Sequence, residues 1–173
     1  MSLIQDAGNA DHIQGNPDAP VALLEYGDYE CPHCGAAYPV VKQIQKKMGR
    51  QLQFVFRNFP LTNMHPFAEI AAEAAEAASA QGRFWEMHDA LYENQDSLSE
   101  ETIFALAEKI GLDMEAFTKD IESQKYRPKV KKDFMGGVKS GVNGTPTFFI
   151  NGERFDQNFD GQLLLEALRS AAV

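Results

Sequence analysis

The sequence predicts an α/β fold, on three observations. A strand–helix–strand stretch covers residues 21–56, an all-helical block follows over residues 65–126, and a strand–turn–strand–helix pattern closes the chain. The length of 173 residues suits one domain. A content of 44% hydrophobic and 24% charged residues belongs to a chain that folds around a core.

Val21-Ala22-Leu23-Leu24-Glu25-Tyr26 is short and largely apolar, the pattern of a strand buried on both faces, and Gly27-Asp28 ends it. A helix opens at Pro32 and stops at Gly49. Tyr38, Val41, Ile44 and Met48 recur along it at helical spacing, and Pro39 inside the pattern predicts a kink. Leu52, Phe54 and Phe56 alternate on a second strand. The short joints make a βαβ unit, which implies parallel pairing and a right-handed crossover. The segment before it is polar, and Asn16-Pro17-Asp18-Ala19-Pro20 makes it a turn-rich lead-in.

In the helical block, Pro66 suits a first helical position and Phe67 to Ala80 is strong helix sequence stopped at Gly82. A second helix carries Phe84, Trp85, His88, Leu91 and Tyr92. Ser99 and Asp113 are N-caps for two more, with Leu98–Ile103 and Leu112–Phe117 placed as hydrophobic staples. A further helix runs from Pro128 to about Gly141. Thr147 to Ile150 then reads as a strand, Asn151-Gly152 as a hairpin turn and Glu153 to Phe155 as the return strand. Asp160 caps a terminal helix bearing Leu163, Leu164, Ala167 and Leu168. The expected plan is a single domain over 1–173, with a βαβ plus ββα core (16–62 and 127–173) around a mixed four-stranded sheet and a helical insertion at 65–126.

Lys plus Arg number 16 against 25 Asp plus Glu, a formal net charge of −9. The block 65–126 holds 14 of those acids and 4 of those bases, so it carries −10 and the rest of the chain +1. Such a surface repels phosphate backbones and argues against a nucleic-acid partner. No run of 18 apolar residues occurs, so no membrane span is expected. The first 20 residues contain Asp6, Asp11 and Asp18 but no Lys or Arg, unlike a secretory signal. That favours the cytoplasm, or a periplasmic or other extracytoplasmic place if Met1-Ser2-Leu3 replaces a removed signal.

The two cysteines, Cys31 and Cys34, lie three residues apart. A bridge over so short a loop constrains the unfolded chain little, so the pair is a poor staple and a well-placed redox couple. Cys31-Pro32-His33-Cys34 follows a buried strand and opens a helix inside a βαβ unit, the context of a thioredoxin-like redox motif. At the helix N-terminus, unpaired amides and the macrodipole favour a Cys31 thiolate, the nucleophile of disulfide exchange. Cys34, one turn on and more buried, stays protonated until it resolves a mixed disulfide. A charged His33 would lower the Cys31 pKa further. Glu25 is an acid in an apolar strand; burial raises its pKa into proton-shuttle range.

Other readings stand beside these. The cysteines could be half of a zinc site, but no second pair exists, and His12, His33, His65 and His88 lack metal-arm spacing. His33 could be a bystander, His65 and His88 core or surface residues, and Glu25 could reach solvent at a sheet edge.

Glu25-Tyr26-Gly27-Asp28-Tyr29-Glu30-Cys31-Pro32-His33-Cys34, with Arg57-Asn58-Phe59-Pro60-Leu61, Phe84-Trp85-Glu86-Met87-His88 and Gly144-Thr145-Pro146-Thr147, resembles the DsbA-like thiol:disulfide oxidoreductases of the thioredoxin superfamily. The likeness runs from Asn16 nearly to the end of the chain. It implies a thioredoxin-like fold whose helical block is the family's insertion. It makes Cys31 the exposed attacking cysteine, Cys34 the resolving one, Pro32 and His33 the tuning dipeptide, and Glu25 the buried acid beneath the pair. Pro146 matches the cis-proline facing the disulfide, and Thr145 the residue offering backbone hydrogen bonds to substrate. Asp28 and Glu30 depart from strongly oxidising relatives, which carry apolar residues there. As like charges they should disfavour the thiolate and make the pair less oxidising than DsbA at roughly −120 mV.

The expected activity is disulfide exchange with protein or peptide thiols and an unidentified redox partner. The Cys31–Cys34 bridge carries the electrons, with no dissociable cofactor and no metal. Cytosolic reductase or isomerase chemistry, a peptide-binding chaperone-like module, and glutathione-type chemistry on the same fold are the alternatives.

Overall fold

The computed structural model describes residues 1–157 and 159–173. Its central strand is β2 (Val21–Gly27), which pairs in parallel with β3 (Leu52–Asn58) on one side and antiparallel with β4 (Thr147–Ile150) on the other. β1 (His12–Gly15) lies antiparallel outside β3, and β5 (Glu153–Arg154) antiparallel outside β4, giving the order β1-β3-β2-β4-β5. Helix α1 (Pro32–Met48) links β2 to β3. The insertion holds α2 (Ala68–Ala80), α3 (Phe84–Glu93), α4 (Glu100–Lys109) and α5 (Met114–Glu122). α6 (Arg127–Lys139) precedes β4, and α7 (Gly161–Ala171) follows the hairpin.

The sheet has five strands rather than the four expected. His12-Ile13-Gln14-Gly15 has no apolar alternation of its own, and its pairing with β3 is supported by partners remote in sequence. His12 Nε2 meets Glu76 Oε2 at 2.7 Å, and Asp11 accepts from Arg57 Nε at 2.8 Å. Pairing with an open strand edge, not local propensity, makes it a strand. The start of α2 also differs. Pro66 lies in the preceding turn and the helix begins at Ala68, behind a Phe67 N–H that donates to Glu30 Oε2 at 2.7 Å. α1 runs through Pro39 without a break. The expected caps form: Ser99 accepts from the Thr102 N–H, Asp113 from Ala116, and Asp160 from Gln162 and Leu163. Asn151 and Gly152 both take positive φ, 48° and 84°, as a two-residue hairpin turn requires.

Alternate residues of β2 serve the two faces of the sheet. Leu23 packs with Phe54, Phe56, Cys34, Ala37 and Val41, while Leu24 and Tyr26 pack with Val55, Phe59 and Phe149. Glu25 is therefore not at an edge. It stands in register between Phe56 of β3 and Phe148 of β4, on the face covered by the α1 cysteines, and is 3% exposed.

The other face is closed by α6, where a Cβ on Gly137 would come within 2.8 Å of the Phe59 ring and 3.0 Å of Tyr26. Gly137→Ala should therefore cost about 1–3 kcal/mol through overpacking, outweighing the gain of up to about 1 kcal/mol in helix propensity. Urea denaturation would read this as a lower midpoint with unchanged slope.

Candidate active site

β2 ends at Gly27 and α1 starts at Pro32, so residues 28–31 must turn a buried strand into a helix. Cys31 is the N-cap, with extended backbone (φ −72°, ψ 121°), and its N–H donates to the Asp28 carbonyl at 3.2 Å. No side-chain oxygen caps this helix, and its first turn contains no acid. The Cys31 sulfur thus occupies the place where a cap oxygen usually sits. Both cysteines are free thiols. The Cys34 thiol donating toward Cys31 is the largest influence on it and outweighs burial. With the Thr145 contact and the Cys34 and His33 amides, it holds the Cys31 thiol down at about 5 from an ordinary 9.0. Burial first, and the partner sulfur second, push the Cys34 thiol far up. Beneath them, Glu25 forms no hydrogen bond among the described residues; burial, with the Cys31 charge adding, pushes its carboxyl to about 8.

The structure brings Cys31, Cys34, Glu25 and Thr145 together, and it corrects one expectation about their exposure. Cys31 is not open to solvent but 4% exposed, because the chain before β4 lies over it. Its Sγ is 3.5 Å from the Thr145 carbonyl oxygen, and the Thr145–Pro146 bond beside it is cis. Pro32 and His33 form the exposed corner next to it, and the His33 contribution to the thiol comes through its backbone N–H. His88 is core: it is 2% exposed, with rings of Tyr29, Phe56, Trp85 and Tyr92 around it.

Asp28 and Glu30 do not act as expected. Asp28 is 1% exposed; its Oδ1 accepts from the Glu30 N–H at 2.8 Å, and its Oδ2 accepts from the Leu61 N–H at 2.9 Å and meets His65 Nδ1 at 2.8 Å. With Glu30 engaged at Phe67, both carboxylates are matched by donors, and neither is a main influence on Cys31. Charge counting along the chain missed this, because the donors come from residues 61–67. It also missed Gln95, whose Nε2 donates to the Tyr29 and Cys31 carbonyls at 2.8 Å each. Gly35 makes room for it: a Cβ there would strike Gln95 Oε1.

A low-pKa sulfur at a helix end, a protonated partner one turn on and a dry carboxyl below define a dithiol oxidoreductase site. The chain belongs to the thioredoxin family: the family model described as Thioredoxin matches residues 8–169. With its helical insertion, the fold is that of the DsbA-like thiol–disulfide oxidoreductases. It is similar to oxidised BdbD from Bacillus subtilis (TM-score 0.86, 24% identity, 99% of this chain and 97% of that one). A thioredoxin-like oxidoreductase from Silicibacter pomeroyi gives a TM-score of 0.81 at 27% identity, over 95% of this chain and 93% of that one. A periplasmic thioredoxin-like protein from Salmonella enterica gives 0.77 at 19%, over 98% and 93%. Among curated relatives, a protein named Na(+)/H(+) antiporter NhaA 1 from Salinispora arenicola is 42% identical over 161 residues, 93% of this chain but 24% of its own length. One of the same name from Mycobacterium sp. is 42% identical over 162 residues, 92% of this chain and 26% of that protein. The chain thus spans about a quarter of these relatives. Among its described residues, no helix is long and apolar enough to cross a membrane.

Ultraviolet absorbance of the reduced protein followed against pH should show one thiolate forming with a midpoint near 5. The folded midpoint lies below the unfolded one. The stabilisation this gives the reduced form should therefore be complete above pH 9 and lost as the pH falls through 5.

Proposed function

We propose that the protein exchanges a disulfide between its Cys31–Cys34 pair and thiols of proteins or peptides, with the disulfide form as the oxidant. The observation that carries this is the separation of the two sulfurs by environment, Cys31 held low and Cys34 held high on one helical turn. A stabilised thiolate favours the reduced form, which makes the disulfide oxidising. In the oxidising direction, a substrate thiolate attacks Cys31 Sγ, forming a mixed disulfide and breaking the Cys31–Cys34 bond. The departing Cys34 sulfur takes a proton from Glu25. A second substrate thiolate attacks the substrate sulfur of the mixed disulfide and expels Cys31 as its stable thiolate. The substrate leaves with a new disulfide and the pair with two electrons. In reverse, Glu25 takes the Cys34 proton as that thiol attacks the mixed disulfide.

The Thr145 carbonyl lies 3.5 Å from Cys31 Sγ, which supports a role for this stretch of backbone in holding a substrate peptide. No dissociable cofactor enters this cycle. The expectation of a cytoplasmic place finds no support in the comparisons, one of which is with a periplasmic protein.

Equilibration with glutathione should place the potential between roughly −180 and −120 mV; a value near −270 mV, that of thioredoxin, would reverse the assigned direction. Cys34→Ser should trap substrate as a covalent adduct and Cys31→Ser should trap none. A Cys31→Ser protein that kept full activity would instead be a binding module.

Glu25→Gln should slow resolution of the mixed disulfide by about 10²-fold or more while sparing the initial attack, as stopped-flow mixing with a disulfide peptide would separate. Its stability should rise at pH 7, by up to about 3 kcal/mol. The folded Glu25 pKa is raised, so the wild type loses stability as pH climbs from 4.5 towards 8, and the variant should lack that slope.

A further inference from the structure

The loop joining β3 to α2 takes no part in the exchange steps above, yet it is fastened to the turn before Cys31. The Leu61 N–H and His65 Nδ1 both meet Asp28 Oδ2, and the Phe67 N–H meets Glu30 Oε2. The Asp28 carbonyl in turn accepts the Cys31 N–H. The Asp28 side chain is 0% exposed and that of His65 15%, and His65 is the one ion-pair partner of Asp28 among the described residues. A carboxylate so placed is strongly disfavoured without a countercharge.

We propose that His65 is a positioning residue of the dithiol site: as an imidazolium on Asp28 Oδ2 it fixes the turn that presents Cys31, and its charge supports the Cys31 thiolate. The proposal rests on the exchange reading and adds to it the group that tunes the nucleophile. It also explains how two acids can precede Cys31 without suppressing its ionisation. Burial acts to lower the His65 pKa, but the Asp28 bond and charge outweigh it, and the Cys31 thiolate and Glu30 add to the rise. The charged groups facing the imidazole are therefore Asp28 and Glu30 from the β2–α1 turn and Cys31 from the end of α1. All are acidic, so protonated His65 is their shared cation.

Coupling of this kind is reciprocal: what His65 does to Cys31, Cys31 must do to His65. NMR titration of the His65 ring in the unaltered protein should give a higher midpoint in the reduced protein, where Cys31 is a thiolate, than in the disulfide form. His65→Asn places an amide where Nδ1 stood, keeping the hydrogen bond to Asp28 without the charge. Its Cys31 thiol should show an acid dissociation constant about threefold to tenfold lower by ultraviolet titration, the scale of one partly screened charge. A purely structural role would leave that constant unchanged in His65→Asn, and this result would overturn the proposal. Identical His65 midpoints in the two redox states would overturn it too, without any variant. If the coupling is found but no protein or peptide disulfide is exchanged, the functional reading falls and the His65 assignment stands.

Discussion

The first-turn amides of a helix need something to donate to, and at α1 a sulfur stands where a cap oxygen would. Ser99, Asp113 and Asp160 close α4, α5 and α7 with side-chain oxygens, but at α1 Cys31 holds that position, with no acid in the first turn. Sulfur is a weak acceptor as a thiol and a good one as a thiolate, so the helix end itself favours ionisation. The surrounding structure holds that end in place. Pro32 at the first helical position has no N–H to satisfy, and Gln95 ties the Tyr29 and Cys31 carbonyls from outside.

Two carboxylates three residues apart show how environment divides the work. Glu25 lies between Phe56 and Phe148 with no donor among the described residues, so it is held towards the neutral form near neutral pH, as a proton carrier must be. Asp28 lies just beyond the strand and is equally buried, but it collects two backbone N–H groups and an imidazole. The difference is one of partners rather than depth: β2 is hemmed by strands at Glu25, whereas the turn at Asp28 faces the end of β3 and the loop that follows it.

Much of this was legible in the residues. The βαβ unit, the capped helices and the hairpin all follow from local patterns, and Cys31, Cys34 and Glu25 could be assigned from their place on a strand and a helix start. What stayed hidden depends on chain brought from a distance. β1 exists because β3 had a free edge. Cys31 is covered because the chain at residue 145 lies on it, and Asp28 finds its hydrogen-bond partners in a loop more than 30 residues further on. His65 carries no signal as an isolated histidine; only its pairing with a buried acid marks it.

The site also sets the two redox states of the protein apart in stability. Burying Glu25 disfavours the native state increasingly as pH rises from 4.5 to 8, whether or not the cysteines are joined. The Cys31 thiolate acts in the opposite sense between pH 5 and 9, but only when the disulfide is open. Its charge also raises Glu25 somewhat, so the two effects are coupled and do not simply add. Near neutral pH the reduced protein therefore offsets the dry carboxyl with a stabilised anion, while the oxidised protein carries the carboxyl alone. A site arranged this way gains a stabilised anion when it accepts electrons. The helix end that holds the thiolate thus drives the disulfide towards opening, while the buried acid, costly in both states, serves the proton and not the direction.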